Sequence, residues 1–191
     1  MPCEPDIRTV PLHATAGCPP PEASFRALRV AVVYEDFAAG RRAQAAWEQV
    51  QQLLGTGLPA IDASWKFDVL RLPKLRQIAA EDAAGADLVV IASHETASLP
   101  ACVHTWMDLW LGQRSGQPQS LLALLGATPP EPDAGIPLER ELAEMATRAG
   151  LSFWSLPEEA LVPEADFSAL ADCLPRVSRV STAETKTPAD V

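Results

Sequence analysis

The stretch Gly85-Ala-Asp-Leu-Val-Val-Ile-Ala-Ser-His-Glu-Thr-Ala-Ser-Leu-Pro100 decides the fold of this 191-residue chain. Within it, Leu88–Ala92 is an unbroken apolar run rich in β-branched residues, which is typical of a strand buried on both faces. A polar loop follows, and Pro100 suits the first turn of a helix because a missing N–H costs nothing there. Apolar residues then recur at helical spacing through residues 101–111. The stretch therefore predicts strand, loop and helix of one parallel βα unit.

Four other segments have strand patterns. Leu28–Tyr34 is apolar and β-branched, and Asp36 after it is a good N-cap for a helix. Leu121–Leu125 is a second unbroken apolar run and indicates another interior strand. By contrast, Ser64–Arg71 and Leu151–Leu156 alternate between apolar and polar residues, which predicts strands with one wet face at the edges of a sheet.

The predicted order is a strand and a helix repeated four times, followed by a closing strand. Interior patterns fall on strands one, three and four, and edge patterns fall on strands two and five. Sequential right-handed crossovers then give the spatial order 2-1-3-4-5, with helices on both faces of a parallel sheet. We therefore predict a three-layer α/β/α domain of the flavodoxin-like fold over residues 27–156.

The two ends of the chain lack this periodicity. Residues 1–26 are rich in proline and bury too little apolar surface to offset the entropy of ordering, so we expect a disordered N-terminal segment. Residues 157–191 are predicted to form a largely irregular C-terminal extension, with room for a short helix at 164–174.

The composition excludes several classes of binding partner. The formal net charge is −10 and no basic stripe exists, so nucleic acids and anionic membranes are not expected partners. No apolar run approaches the roughly 18 residues that a membrane-spanning helix needs. Because the N-terminus also lacks the apolar region of a signal peptide, we expect a cytoplasmic protein.

The four cysteines show no C-x-x-C spacing and no clustered histidine, so neither a disulfide framework nor a zinc site is expected. Three of them lie in or near the chain ends. Cys102 falls in the first turn of a predicted helix, where the helix dipole favours a thiolate. We favour the simpler interpretation that Cys102 is a small buried apolar residue.

The candidate site lies where the topology reverses. In a 2-1-3-4-5 sheet this switch point falls between strands one and three, whose C-terminal loops form the rim of a crevice. Both loops carry acids, so the local charge favours a cationic or neutral ligand, or a basic partner segment, over a phosphate. The candidate crevice residues are Glu35, Asp36, Ser93, His94, Glu95, Ser98, Gly126 and Thr128.

A metal site at this rim is a weaker alternative. The pair Glu35-Asp36 resembles the acidic end of the first strand in response-regulator receiver domains, where such acids hold a divalent cation. After the third strand, however, this chain has Ser93 and His94 and no aspartate. Asp36 as an N-cap is the favoured interpretation, and no metal is expected.

The segment from Ala86 to Ser93, with Ser98-Leu-Pro100 and the following helix, resembles the flavin-binding segment of NADPH-dependent FMN reductases. The order of strands and helices is similar over residues 28–156. Ser98, Leu99 and Pro100 match the family pattern, with Asp108 and Trp110 as a looser match. This resemblance implies FMN as cofactor and an NAD(P)H oxidoreductase activity.

The departures from that family fall on the flavin loops. The loop after strand three lacks the Pro and the Tyr that lie against the flavin in those reductases. After strand one, Glu35 and Asp36 stand where the family has a Gly/Ser/Arg-rich phosphate cradle. Two carboxylates there compete with a phosphate for the helix N–H groups and repel it.

Two hypotheses follow. The first is a flavodoxin-like module that does not use FMN and binds a small molecule or another protein, with a homo-oligomer left open. The alternative is a diverged FMN-dependent NAD(P)H oxidoreductase, so whether the chain is an enzyme stays open. Hydrolase chemistry is not supported, since the three histidines belong to no legible triad and no Gly-x-Ser-x-Gly motif is present.

Overall fold

The computed structural model describes residues 10–11, 13–14, 28–55, 61–126, 137–157 and 165–174. In chain order, the elements are β1 Val10–Pro11, β2 His13–Ala14, β3 Val30–Tyr34, α1 Phe37–Leu54, β4 Ala63–Lys66, a 3₁₀ turn Phe67–Arg71, α2 Pro73–Ala84, β5 Leu88–Ala92, α3 Ala101–Gln113, β6 Ser120–Leu124, α4 Pro137–Ala149, β7 Ser152–Leu156, β8 Ala165–Asp166 and α5 Ser168–Cys173.

Five parallel strands form the centre of the main sheet. The sheet runs β2-β7-β6-β5-β3-β4, and only β2 is antiparallel to its neighbour. Counting the parallel strands in chain order, β4-β3-β5-β6-β7 is the order 2-1-3-4-5. The predicted flavodoxin-like topology is therefore confirmed, including the switch point between β3 and β5.

The apolar runs fill two cores, one on each face of the sheet. In β5, Val89 and Ile91 pack towards α2, α3 and α4, whereas Leu88 and Val90 pack towards α1 and α5. All five residues of β5 are buried, which is why this strand needs an unbroken apolar sequence. No helix in the described part of the chain combines the length and apolar character that crossing a lipid bilayer requires.

The second predicted strand is shorter than expected. The alternation over Ser64–Arg71 predicted one continuous strand, but β4 ends at Lys66 and residues 67–71 form a 3₁₀ turn. Phe67 and Leu70 are both buried in this turn. Their spacing of three places both side chains on one side of a 3₁₀ helix, so burial of the two together decides the local conformation.

The last parallel strand, β7, does not lie at the edge of the sheet, so that prediction was wrong. β2 pairs antiparallel with it, placing His13 opposite Ser155, and all five residues of β7 are buried. Its serines are small enough to be covered on both faces, so alternation did not mean solvent exposure. β1 and β2 fall within the segment 1–26 that was expected to be disordered, and the rest of that segment lies outside the described residues.

The C-terminal extension contributes to the core. β8 pairs in parallel with β1, and α5 lies within the stretch where a short helix was anticipated. Phe167 and Leu170 are buried in the core on the α1 face. Cys173 is disulfide-bonded, contrary to the sequence expectation, while Cys102 is a free, half-buried thiol. Cysteine spacing carries no information on which thiols meet in space, so this bond could not be predicted from the spacing.

Candidate functional site

The candidate site is the rim formed by the loops after β3 and β5. The backbone hydrogen bonds of the sheet continue one residue beyond the strands, because the Glu35 N–H donates to the Ala92 carbonyl and the Ser93 N–H donates to the Leu124 carbonyl. These bonds bring the first residues of the two loops side by side. The predicted juxtaposition of Glu35 and Asp36 with Ser93 and His94 is present in the structure.

Glu35 crosses the crevice and binds the opposite loop. Its Oε2 accepts hydrogen bonds from Ser93 Oγ and from the His94 N–H, both at 2.8 Å. Ser93 is only 1% exposed, so water cannot reach its hydroxyl. If the carboxylate moved away, the hydroxyl would have no acceptor for its proton. Glu35 therefore joins the loops after β3 and β5 at the switch point.

Asp36 caps helix α1, as predicted. Its Oδ1 accepts from the Ala38 and Ala39 N–H groups, each at 2.9 Å, and lies 3.2 Å from His94 Nε2. Because an ionised carboxylate only accepts hydrogen bonds, Nε2 carries a proton in this contact. The hydrogen bond from Ala39 is the main cause that lowers the pKa of Asp36 below 3.8, burial opposes it, and His94 adds to the lowering.

The lowered pKa of Asp36 predicts a pH dependence. A carboxyl whose pKa is lower in the folded state stabilises the fold above its ordinary pKa of 3.8 and loses that contribution as the pH falls through its folded value. Asp36→Asn keeps a capping side chain but removes the titration. We expect the melting temperature of Asp36→Asn to fall less steeply than that of the wild type between about pH 5 and pH 3. Equal slopes in thermal unfolding would contradict this assignment.

The turn after β6 packs tightly against the same loop. A Cβ built on Gly126 would lie 2.0 Å from the His94 carbonyl oxygen, so only glycine fits there. Glu95 and Ser98 are exposed, and Glu95 contributes through its backbone, whose N–H donates to Ser93 Oγ at 3.1 Å. Thr128, the remaining predicted site residue, lies outside the described residues.

Arg42 lies near the candidate site and was not predicted from the sequence. From the second turn of α1 its guanidinium donates to the carbonyl oxygens of Leu125, Leu156 and Pro157, at 2.8, 2.9 and 2.5 Å. These carbonyls lie at the C-terminal ends of β6 and β7. The sequence signal was the basic pair Arg41-Arg42, which follows the acids of the same loop within α1.

The N-terminus of α1 and the Arg42 guanidinium, two groups that could receive a phosphate, are both engaged within the protein. The first free N–H groups of α1 bind the Asp36 carboxylate, and the Arg42 guanidinium binds main-chain carbonyls instead of pointing outwards. A phosphate that binds at the N-terminus of α1 has to displace the Asp36 carboxylate, which is an anion of the same chain. Among the described residues, no group of three or more His, Cys, Asp or Glu side chains is arranged to hold a metal ion.

The fold and this rim define a flavodoxin-like α/β domain with an acid-bearing switch point. No protein-family model matches the chain, and no curated protein matches it either. Among solved structures, an azoreductase from Bacillus anthracis str. Sterne is similar, with 15% sequence identity over 76% of this chain and 93% of that chain and a TM-score of 0.41.

Proposed function

We propose that this chain is a flavodoxin-like binding domain that does not use FMN and that binds a small molecule or another protein at the rim of β3 and β5. One observation carries the proposal. Asp36 Oδ1 accepts from both the Ala38 and the Ala39 N–H groups at 2.9 Å, and these are the groups a phosphate at this helix would need.

The surroundings of the rim support a binding role. Phe37, the first residue of α1, is 82% exposed, although it is held on a helix whose N-cap is well formed. Burying a phenylalanine side chain is worth about 1.5–3 kcal/mol, so a partner that covers Phe37 gains a sizeable contribution. The adjacent Glu35 and Asp36 favour a cationic or neutral ligand, or a basic segment of a partner protein, over an anion of high charge.

An FMN titration tests the proposal. We expect no quenching of FMN fluorescence by the wild-type protein at micromolar concentration. Replacing Glu35 by Ser together with Asp36 by Gly frees the N–H groups and removes the repulsion. We therefore expect the double variant to bind FMN about tenfold more tightly, or better, than the wild type.

The matched control for this titration is Glu95→Ser. It removes one negative charge from the same rim, but the Glu95 side chain is exposed and accepts none of the hydrogen bonds at α1. We expect no gain of FMN affinity in this variant. Tight FMN binding by the wild type, weakened by Glu35→Ser, would overturn the proposal.

The second candidate function is a diverged FMN-dependent NAD(P)H oxidoreductase. The start of α3 favours it, since Leu99 is buried and Pro100 stands immediately before the helix, as the resemblance to FMN reductases implies. The visible absorption spectrum of the purified protein separates the two candidates. Flavin bands near 370 and 450 nm, at about one flavin per chain, would favour the oxidoreductase.

A further inference from the structure

Two hydrogen-bond donors of the β5–α3 loop converge on one oxygen atom. The Ser93 hydroxyl and the His94 N–H both lie 2.8 Å from Glu35 Oε2, and we call this pair of donors the Ser93 seat. The Ser93 side chain is almost completely buried, and its main chain is fixed to β6 through the Leu124 carbonyl. Ser93 is therefore held by the sheet independently of Glu35, and the contact of the His94 ring with Asp36 holds the second donor beside it.

The direction of the hydroxyl proton is also set by the loop. The Glu95 N–H donates to Ser93 Oγ at 3.1 Å, which uses the hydroxyl oxygen as an acceptor. The single hydroxyl proton is then left to donate to the oxygen in the seat. Two fixed donors aimed at one oxygen form an oxyanion site, and hydrogen bonds to an ionised acceptor are the stronger kind.

We propose that the Ser93 seat is a binding site for carboxylate ligands that Glu35 occupies in the resting protein. A glutamate side chain has three rotatable bonds, and it can swing out while the Glu35 main chain stays bound to Ala92. Its departure takes the acceptor away from the buried Ser93 hydroxyl, so the swing is favourable only when another acceptor takes the place of Glu35. Glu35 thus acts as a built-in competitor for an external carboxylate.

The neighbouring charge selects the class of ligand. The Asp36 carboxylate lies on the adjacent residue and contacts the ring of His94, so a dianion such as phosphate meets more repulsion than a monoanion. A planar monocarboxylate also reproduces the group that the seat already holds. This inference does not depend on the FMN result, because the N–H groups of α1 play no part in the seat.

Acetate rescue of Glu35→Ala tests the inference. The variant vacates the seat, and we expect sodium acetate to raise its melting temperature by about 3–5 °C at ten times the dissociation constant, with a further rise in proportion to the logarithm of the acetate concentration. Sodium chloride at equal ionic strength should give no such rise. The amide resonance of His94 should shift and saturate with the same dissociation constant, which places the acetate at the seat.

Three comparisons make the result specific. Glu95→Ala, which removes a neighbouring exposed carboxylate, should respond to acetate as the wild type does. Adding Ser93→Ala to Glu35→Ala should abolish the rescue. If Glu35→Ala does not fold, Glu35→Gln replaces it: its neutral amide oxygen is a weaker acceptor, and acetate should still shift the His94 amide. No acetate-specific shift in the folded variant, or rescue that survives Ser93→Ala, would overturn the inference.

Discussion

Gly126→Ala is expected to lower the free energy of unfolding by about 3 kcal/mol, because overpacking combines here with the loss of hydrogen bonds. The new Cβ would lie 2.0 Å from the His94 carbonyl oxygen and 3.1 Å from Thr96 Cγ2. The φ angle of Gly126 is not positive, so lack of space and not backbone strain requires glycine. His94 cannot retreat freely, since its N–H binds Glu35 and its ring contacts Asp36.

Gly112→Ala is the matched control for this prediction. Gly112 lies in helix α3, is exposed, and has no heavy atom within 4 Å of a built Cβ. Alanine should stabilise the helix there by up to about 1 kcal/mol. Replacing glycine by alanine is thus expected to lower the free energy of unfolding at position 126 and to raise it at position 112. Urea unfolding of the two variants measures both changes. A loss below about 1 kcal/mol for Gly126→Ala would mean that the two loops separate easily.

The topology could be predicted from the sequence because burial on two faces leaves a simple pattern. β5 and β6 each pack between two helical layers, and this requires unbroken apolar runs. Asp36 as an N-cap was also predictable, since the signal is local: a capping residue next to the helix that it caps. In both cases the residues that determine the structure are neighbours in the sequence.

The elements that were not predicted correctly depend on contacts with residues that are distant in the sequence. β7 was assigned to an edge because its own sequence carries no sign of a further neighbour. That neighbour is β2, which lies more than 130 residues earlier in the chain and pairs with β7. The 3₁₀ turn after β4 reflects burial of Phe67 and Leu70 against the packed helices, which overrides the local alternation. Tertiary contacts decided both cases.

The candidate site was predictable in position but not in chemistry. The switch-point rule placed Glu35 beside Ser93, but it did not show that the Glu35 carboxylate would accept hydrogen bonds from the opposite loop. The acids of the rim were interpreted as a repulsive surface facing a ligand. In the structure they are acceptors that satisfy buried or helical N–H and O–H groups, which is a stabilising role as well as an electrostatic one.

Arg42→Met is expected to destabilise the protein by about 2–4 kcal/mol, because it leaves carbonyl groups at the ends of two buried strands without their charged donor. The guanidinium spans the carbonyls of Leu125, Leu156 and Pro157, and so connects α1 to both β6 and β7. Arg42→Lys should recover little of this loss, since a single ammonium group lacks the planar fork that reaches acceptors on two strands.

The neighbouring residue provides the control, because Arg41→Met removes the same charge from the same turn of α1. Arg41 is exposed, and its replacement should change the free energy of unfolding by no more than about 0.5 kcal/mol. Hydrogen exchange at the N–H groups of Leu125 and Gly126 adds a local test, since only Arg42→Met should accelerate it. Equal effects of the two substitutions would show that water can replace the guanidinium, and Arg42 would then be available as a counter-charge to an anionic ligand. A large difference means instead that the Arg42 guanidinium is committed to the ends of β6 and β7 and does not offset the repulsion between Glu35, Asp36 and a phosphate.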